Sequence, residues 1–352
     1  MSSPTTSTTK SVVLITGAAG WLGGLLAKAL LTDHETPNLH LILADVIPPR
    51  APCDNAICLQ ADLTTQAGID ALFTTAHGVP DTIYAMHGIM SRGSEDDFDL
   101  GLKVSTADPR TVNVDSIRLL LDAARYRGST LPTPIRFIFT SSLAVYGGQL
   151  PEVVTPDTIA TPEGAYGTGK LTSELLINEY TRRGFIDGRI LRLPTIVVRP
   201  GPPSNATSAF LSGIVREPLK GESTTCPIGS SPSDPAVDAL HAWVASPPTT
   251  VRNLVRAKHV LASALRKHSR VICLPGFTAS VRDILNALER VAGAPALARV
   301  SFADDPVNRA IVSSWPARFD NAYALSLGFV VDEGGMESAV RQFYEDVKAG
   351  IA

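Results

Sequence analysis

The chain has 352 residues, which at roughly 100 to 200 residues per domain makes one large or two modest domains with room for a full hydrophobic core. Hydrophobic residues make up 44%, charged residues 18%, and the 26 prolines and 27 glycines follow no period, so fibrous and disordered classes are excluded. The 31 basic residues against 34 acidic ones give a net charge of -3 with no basic run, which argues against nucleic acid as a partner.

In chain order, the first ten residues are rich in Ser and Thr and read as a disordered leader rather than a targeting peptide. Short, continuously apolar runs follow at 12–15, 39–44, 56–59, 82–85, 135–139 and 189–193, separated by patterns at 20–31, 114–127 and 166–183 that carry apolar residues at helical spacing. Runs buried on both faces belong to a parallel sheet, so the expected fold class is α/β, a Rossmann doubly wound sheet spanning residues 11–195. After Pro194 the texture turns to Pro, Ser and Thr, with helical patterns at 251–267 and 280–291 around one more strand at 270–274. Residues 196–352 are therefore expected to form mainly a smaller substrate-binding lobe, with that one strand returning to the sheet. Four cysteines without a C-x-x-C pair and seven histidines without H-E-x-x-H give no support to a metal or disulfide framework. No run approaches the roughly 18 apolar residues of a membrane span, so a cytoplasmic protein without a membrane partner is expected.

The sharpest local signal is the run Val12-Val13-Leu14-Ile15-Thr16-Gly17-Ala18-Ala19-Gly20-Trp21-Leu22-Gly23-Gly24, a buried strand entering a glycine-spaced turn that opens a helix. Gly17 permits the tight turn, Gly20 lets backbone N–H groups approach a pyrophosphate, and Gly23 lets the helix pack closely; a plain tight turn is the alternative. The next strand ends in Asp45, 22 residues after Gly23, near the spacing of an acid that binds the adenosine ribose. A carboxylate there accepts both ribose hydroxyls and repels a 2′-phosphate, which points to NAD, unless Asp45 only caps a turn. Asp62, after the third strand, stands to meet the adenine edge or to close a turn.

The second signal is Tyr166-Gly167-Thr168-Gly169-Lys170, preceded by a strand that ends in Ser141 and Ser142. Positions four apart share a helix face, so the Tyr166 hydroxyl and the Lys170 ammonium can reach one site. A nearby ammonium favours the phenolate needed to take a proton from an alcohol. Weaker candidates are Ser91, after the fourth strand, and Arg199, after the sixth, which face a substrate carboxylate or satisfy the protein itself. His87 and Arg92 read more readily as packed or solvated, and Trp243 and Trp315 as core.

The glycine pattern, the serine strand and the Tyr-x-x-x-Lys helix, in this order over roughly the first 200 residues, resemble the extended short-chain dehydrogenase/reductase superfamily. The resemblance implies that Ser142, Tyr166 and Lys170 are catalytic, that Lys170 also binds the nicotinamide ribose, and that Trp21, Leu22, Leu63, Ala85, Asn113, Pro194 and Ile196 join the glycine turn around the cofactor. It implies substrate contacts from Ser91, Ser142, Thr195 and Arg199, and a homodimer paired through the helices at 114–127 and 166–183. Within the superfamily, the segments 96–101, 192–201, 213–219 and Ser314-Trp315-Pro316 are similar to the D-erythronate 2-dehydrogenase group. His87 departs from the small residue usual at its place. The expected activity is NAD-dependent oxidation of the 2-hydroxyl of a short polyhydroxy acid, with a nucleotide-sugar epimerase that keeps its NAD as the alternative.

Overall fold

A computed structural model describes residues 10–89, 112–202 and 207–351. Residues 1–9 of the expected leader, Ser91, Arg92 and the segment 96–101 lie outside the described residues. Strands β1 (Ser11–Thr16), β2 (Leu39–Asp45), β3 (Ala56–Gln60), β4 (Thr82–Ala85), β5 (Arg136–Ser142) and β6 (Asp187–Leu193) run parallel in the order β6-β5-β4-β1-β2-β3. Helices α1 (Trp21–Leu31), α2 (Gln66–Phe73), α3 (Asp115–Gly128) and α4 (Ala165–Arg182) are the crossovers. One hydrophobic core lies between the sheet and α2, α3 and α4, through residues such as Ile69, Leu120, Phe137 and Ile177. A second lies on the opposite face, where Leu26 and Leu30 of α1 meet Ile15 and Leu41. Both faces are thus covered, which is why these strands are apolar throughout rather than alternating.

Beyond β6 come β7 (Thr195–Ile196), α5 (Phe210–Leu219), β8 (Thr224–Cys226), β9 (His241–Ala245) and α6 (Pro247–His259). Strand β10 (Val271–Cys273) then pairs with β6 as the seventh parallel strand. The chain continues through β11 (Phe277–Ser280), α7 (Val281–Ala292), β12 (Val300–Phe302), α8 (Pro306–Ser313) and α9 (Gly335–Lys348). Strands β7, β9 and β11 form a small sheet, β8 pairs with β12, and the apolar faces of α5, α7 and α9 close over them around a separate core.

One expectation needs correction. The helical pattern at 251–267 ends at His259, because Val260 is extended and its carbonyl accepts a 2.7 Å hydrogen bond from the buried Arg189. Lys258 and His259 are meanwhile drawn to Thr36 and Asp33 in the loop after α1. On α3 and α4 most of the apolar side chains face the core. Leu120 and Ile177 are fully buried, Leu119 and Leu176 pack against the same core, and Leu175 remains 64% exposed. No described helix is long and apolar enough to cross a membrane.

Candidate active site

At the carboxyl end of β1 the chain turns through Gly17 with φ of 72°, where a Cβ would lie 2.8 Å from the His87 backbone nitrogen. A Cβ on Gly23 would lie 2.5 Å from the Gly17 carbonyl oxygen, so only glycine lets α1 begin this close to the turn. Gly20 caps α1 without any side-chain hydrogen bond, and the first turn carries no acid. The leading N–H groups of the helix are therefore left for an anion, as a pyrophosphate cradle requires. Gly17, Gly20, Trp21, Leu22 and Gly23 line one end of a cavity of about 260 Å³.

The other end of that cavity is made by Ser142, Tyr166, Lys170, Pro194, Thr195, Ile196 and Arg199. Ser142 closes β5, and its hydroxyl accepts from Ala144 N at 3.1 Å, capping the turn Leu143–Val145. A Cβ on Gly167 would lie 2.0 Å from the Ala144 carbonyl oxygen, so the first turn of α4 rests directly on that turn. This contact sets the Tyr166 hydroxyl against Ser142, with which it hydrogen-bonds. Lys170, only 4% exposed, donates to the Thr140 carbonyl at 2.9 Å and lies 5.8 Å from the Tyr166 ring centre. One turn on, Glu174 takes two hydrogen bonds from Arg192 of β6, at 3.0 and 2.6 Å, and another from Ser141, tying α4 to both strands.

Burial pulls the Lys170 ammonium down to about 8, against a smaller upward pull from Glu174. Burial raises the Tyr166 phenol above its ordinary value, opposed by the Ser142 hydrogen bond and the Arg199 charge. Arg199 thus adds a second cation near the phenol besides Lys170, whose ammonium also donates to Thr140. Arg199 donates to the Ile196 carbonyl at 3.1 Å and to Ser208 Oγ at 3.3 Å, while its backbone N–H donates to Ser212 Oγ at 3.0 Å. Among the described residues no carboxylate pairs with it, and burial lowers its affinity for its proton. A guanidinium held this way, beside a phenol and a hydroxyl, has the chemistry to pair with a small anion.

Residues 13–242 match the NAD dependent epimerase/dehydratase family. The chain belongs to that family. It is 40% identical over 335 residues to a D-erythronate dehydrogenase of Haemophilus influenzae, covering 95% of this chain and 98% of the relative. It is 39% identical over 349 residues to a D-erythronate dehydrogenase of Cupriavidus necator, covering 97% and 99%. Among solved structures, the nucleoside-diphosphate-sugar epimerase from Agrobacterium tumefaciens matches with a TM-score of 0.85 at 33% identity, over 97% of this chain and 95% of that one. This epimerase/dehydratase family member is an NAD-dependent oxidoreductase with the extended short-chain dehydrogenase fold.

Other residues singled out from the sequence stand outside the cavity wall. Asp45, half-buried at the end of β2, accepts from Ala19 N at 3.0 Å and Val46 N at 2.7 Å, fastening the glycine turn to the strand. Its Oδ1 also accepts from Ile47 N at 3.5 Å, whereas Oδ2, which accepts only from Ala19, keeps a lone pair for a further donor. Asp62 is exposed and accepts from the Thr64 backbone and hydroxyl, while the Leu63 and Ala85 side chains are buried in the core. Asn113 is buried, bonds both backbone groups of Ile89, and accepts from Ser173 through its carbonyl, holding the chain after β4 against α4. His87 bridges Thr16 and Ser116 at 2.7 Å each, and burial, aided by the Lys170 charge, lowers it to about 3. It is a neutral link between β1 and α3.

Trp243 is buried in the core, but Trp315, read from the sequence as core, lines the cavity, as does Met86. A tryptophan before a proline just past a short helix is the one available hint, because the proline stops the helix and leaves the ring on a loop.

Proposed function

We propose that the chain oxidises the 2-hydroxyl of a short polyhydroxy acid such as D-erythronate to the 2-oxo acid, with NAD. The observation that carries this reading is the buried Arg199 guanidinium, without a carboxylate partner among the described residues, on the same cavity wall as Ser142 and Tyr166. It would take the substrate carboxylate, helped by Thr195 and, outside the described residues, Ser91. The names of the Haemophilus and Cupriavidus relatives support the same substrate class.

Ser142 holds the substrate hydroxyl, and Tyr166 accepts its proton as the carbonyl forms. The bound NAD would supply the acceptor for the hydride that leaves C2. Gly17, Gly20, Trp21, Leu22 and Gly23 would hold its pyrophosphate, Asp45 its adenosine ribose, and Asp62 with the Leu63 backbone its adenine edge. Ala85, Asn113, Pro194 and Ile196 would flank the nicotinamide end. Lys170, buried beneath Tyr166, would donate to the nicotinamide ribose with the hydrogens that Thr140 does not use. In this reading residues 11–195 carry the cofactor and 196–352 mainly the substrate. Four free thiols, two of them buried, fit a reducing, cytoplasmic compartment. A homodimer would pair α3 and α4 through exposed Leu175 and Tyr126; light scattering reads it directly.

The Agrobacterium match favours one competitor, a nucleotide-sugar epimerase. Incubation with free NAD and a panel of hydroxy acids separates the two. The dehydrogenase forms NADH in proportion to acid consumed. Epimerised nucleotide sugar without net NADH, and no turnover of any acid, overturns the proposal.

A further inference from the structure

A second cavity of about 90 Å³ adjoins the first, and Ala144, Tyr166 and Trp315 line both. These three residues are common to the walls of the two spaces. Ala144 and Tyr166 belong to the reactive edge of the sheet, whereas Trp315 arrives from the loop after α8. Its ring is half-buried and packs both on the lobe core and on the cluster of Tyr146, Trp243 and Phe319. No hydrogen bond joins the indole N–H to a described residue, so shape alone seats the ring.

The second cavity has the share of liquid volume of about three waters, at ~30 Å³ each, enough for a short hydroxylated carbon chain. Among the described residues Glu163, an exposed side chain, is the one charged residue on its wall, which Ser314 and Ile311 also line. We propose that Trp315 sets the chain length of the substrate: the ring blocks an acid chain growing away from C2, and the space behind it is a latent subsite for a hydroxylated terminus. This rests on the hydroxy-acid reading above. The Glu163 carboxylate accepts hydroxyl hydrogens and repels a second carboxylate, so the enlarged pocket takes long aldonic acids and refuses aldaric acids of equal length.

The test measures kcat/KM with NAD for four- and six-carbon aldonic acids and a six-carbon aldaric acid, in the wild type, Trp315→Ala, and Trp315→Ala combined with Ile311→Trp. The wild type should prefer the four-carbon acid. Trp315→Ala should raise the six-to-four-carbon ratio at least tenfold, the scale on which a pocket discriminates by size, without gain on the aldaric acid. Ile311 lines only the second cavity, so Ile311→Trp should reverse the gain. An unchanged ratio, or a gain that Ile311→Trp leaves intact, overturns the inference while the activity reading stands. A wild type that oxidises no hydroxy acid sinks both. NADH binding and thermal melting verify the fold, and if Trp315→Ala does not fold, Trp315→Leu must shift the ratio in the same direction.

Discussion

At the cofactor end of the cavity the wall comes from one short stretch of chain, Gly17 and Gly20 to Gly23, in which Gly17 and Gly23 have no room for a Cβ. At the other end the wall is side chains, with Ser142 from β5, Tyr166 from α4, Arg199 from beyond β7 and Trp315 from the loop after α8. The first end needs only a strand and a helix in sequence. The second exists only once the lobe has folded against the sheet, so substitutions there should change chemistry and substrate while leaving cofactor binding intact.

The largest expected effect tests that separation most severely. Tyr166→Phe keeps the ring on Ser142 but removes the proton acceptor, so kcat should fall about 10²- to 10⁴-fold with NADH affinity unchanged. A loss below tenfold in steady-state turnover would take Tyr166 out of the mechanism.

Next comes Lys170, whose ammonium burial pulls from its ordinary 10.5 down to about 8. Between those values the unfolded chain binds a proton that the folded chain does not, so stability rises with pH across this window, and below it the buried charge is a cost. Lys170→Met should therefore stabilise the cofactor-free protein at pH 7 by at most about 3 kcal/mol, less the lost bond to Thr140, while lowering activity. Urea melts at pH 7 and pH 10 read it, and equal wild-type and variant stabilities at both would refute a strained lysine.

A smaller effect sharpens the substrate end. Arg199→Ala should raise KM for the hydroxy acid about ten- to hundredfold, the scale of a charged hydrogen bond of about 1.5 to 3 kcal/mol, and hardly alter NAD binding. Because Arg199 also lowers the Tyr166 phenol, and Tyr166 must be deprotonated to accept a proton, the acid limb of the rate profile should move to higher pH. An unchanged KM would leave the carboxylate to neutral donors.

The smallest belongs to the cofactor end. Asp45→Ala should narrow the preference for NAD over NADP about tenfold, since one ribose acceptor and one negative charge disappear. Paired kcat/KM values measure it. A wild type that uses both cofactors equally would show that Asp45 serves only to fasten Ala19 and Val46.

Much was legible in the amino-acid sequence alone. Continuous apolar runs and helical spacing determined the parallel sheet and its crossovers, and the glycine spacing determined the turn before α1. That Tyr166 and Lys170 share a helix face behind the strand ending at Ser142 followed equally from spacing. These properties repeat over a few residues, so neighbours in sequence suffice to write them. Tertiary structure alone decided that Arg199 faces a cavity with no carboxylate partner among the described residues, that Trp315 lines two cavities, that His87 is a neutral strut, and that α6 stops where Arg189 takes the Val260 carbonyl. Each is a meeting of segments distant along the chain, settled by which packing excludes water and satisfies buried polar groups, and such contacts leave no periodic trace in either segment.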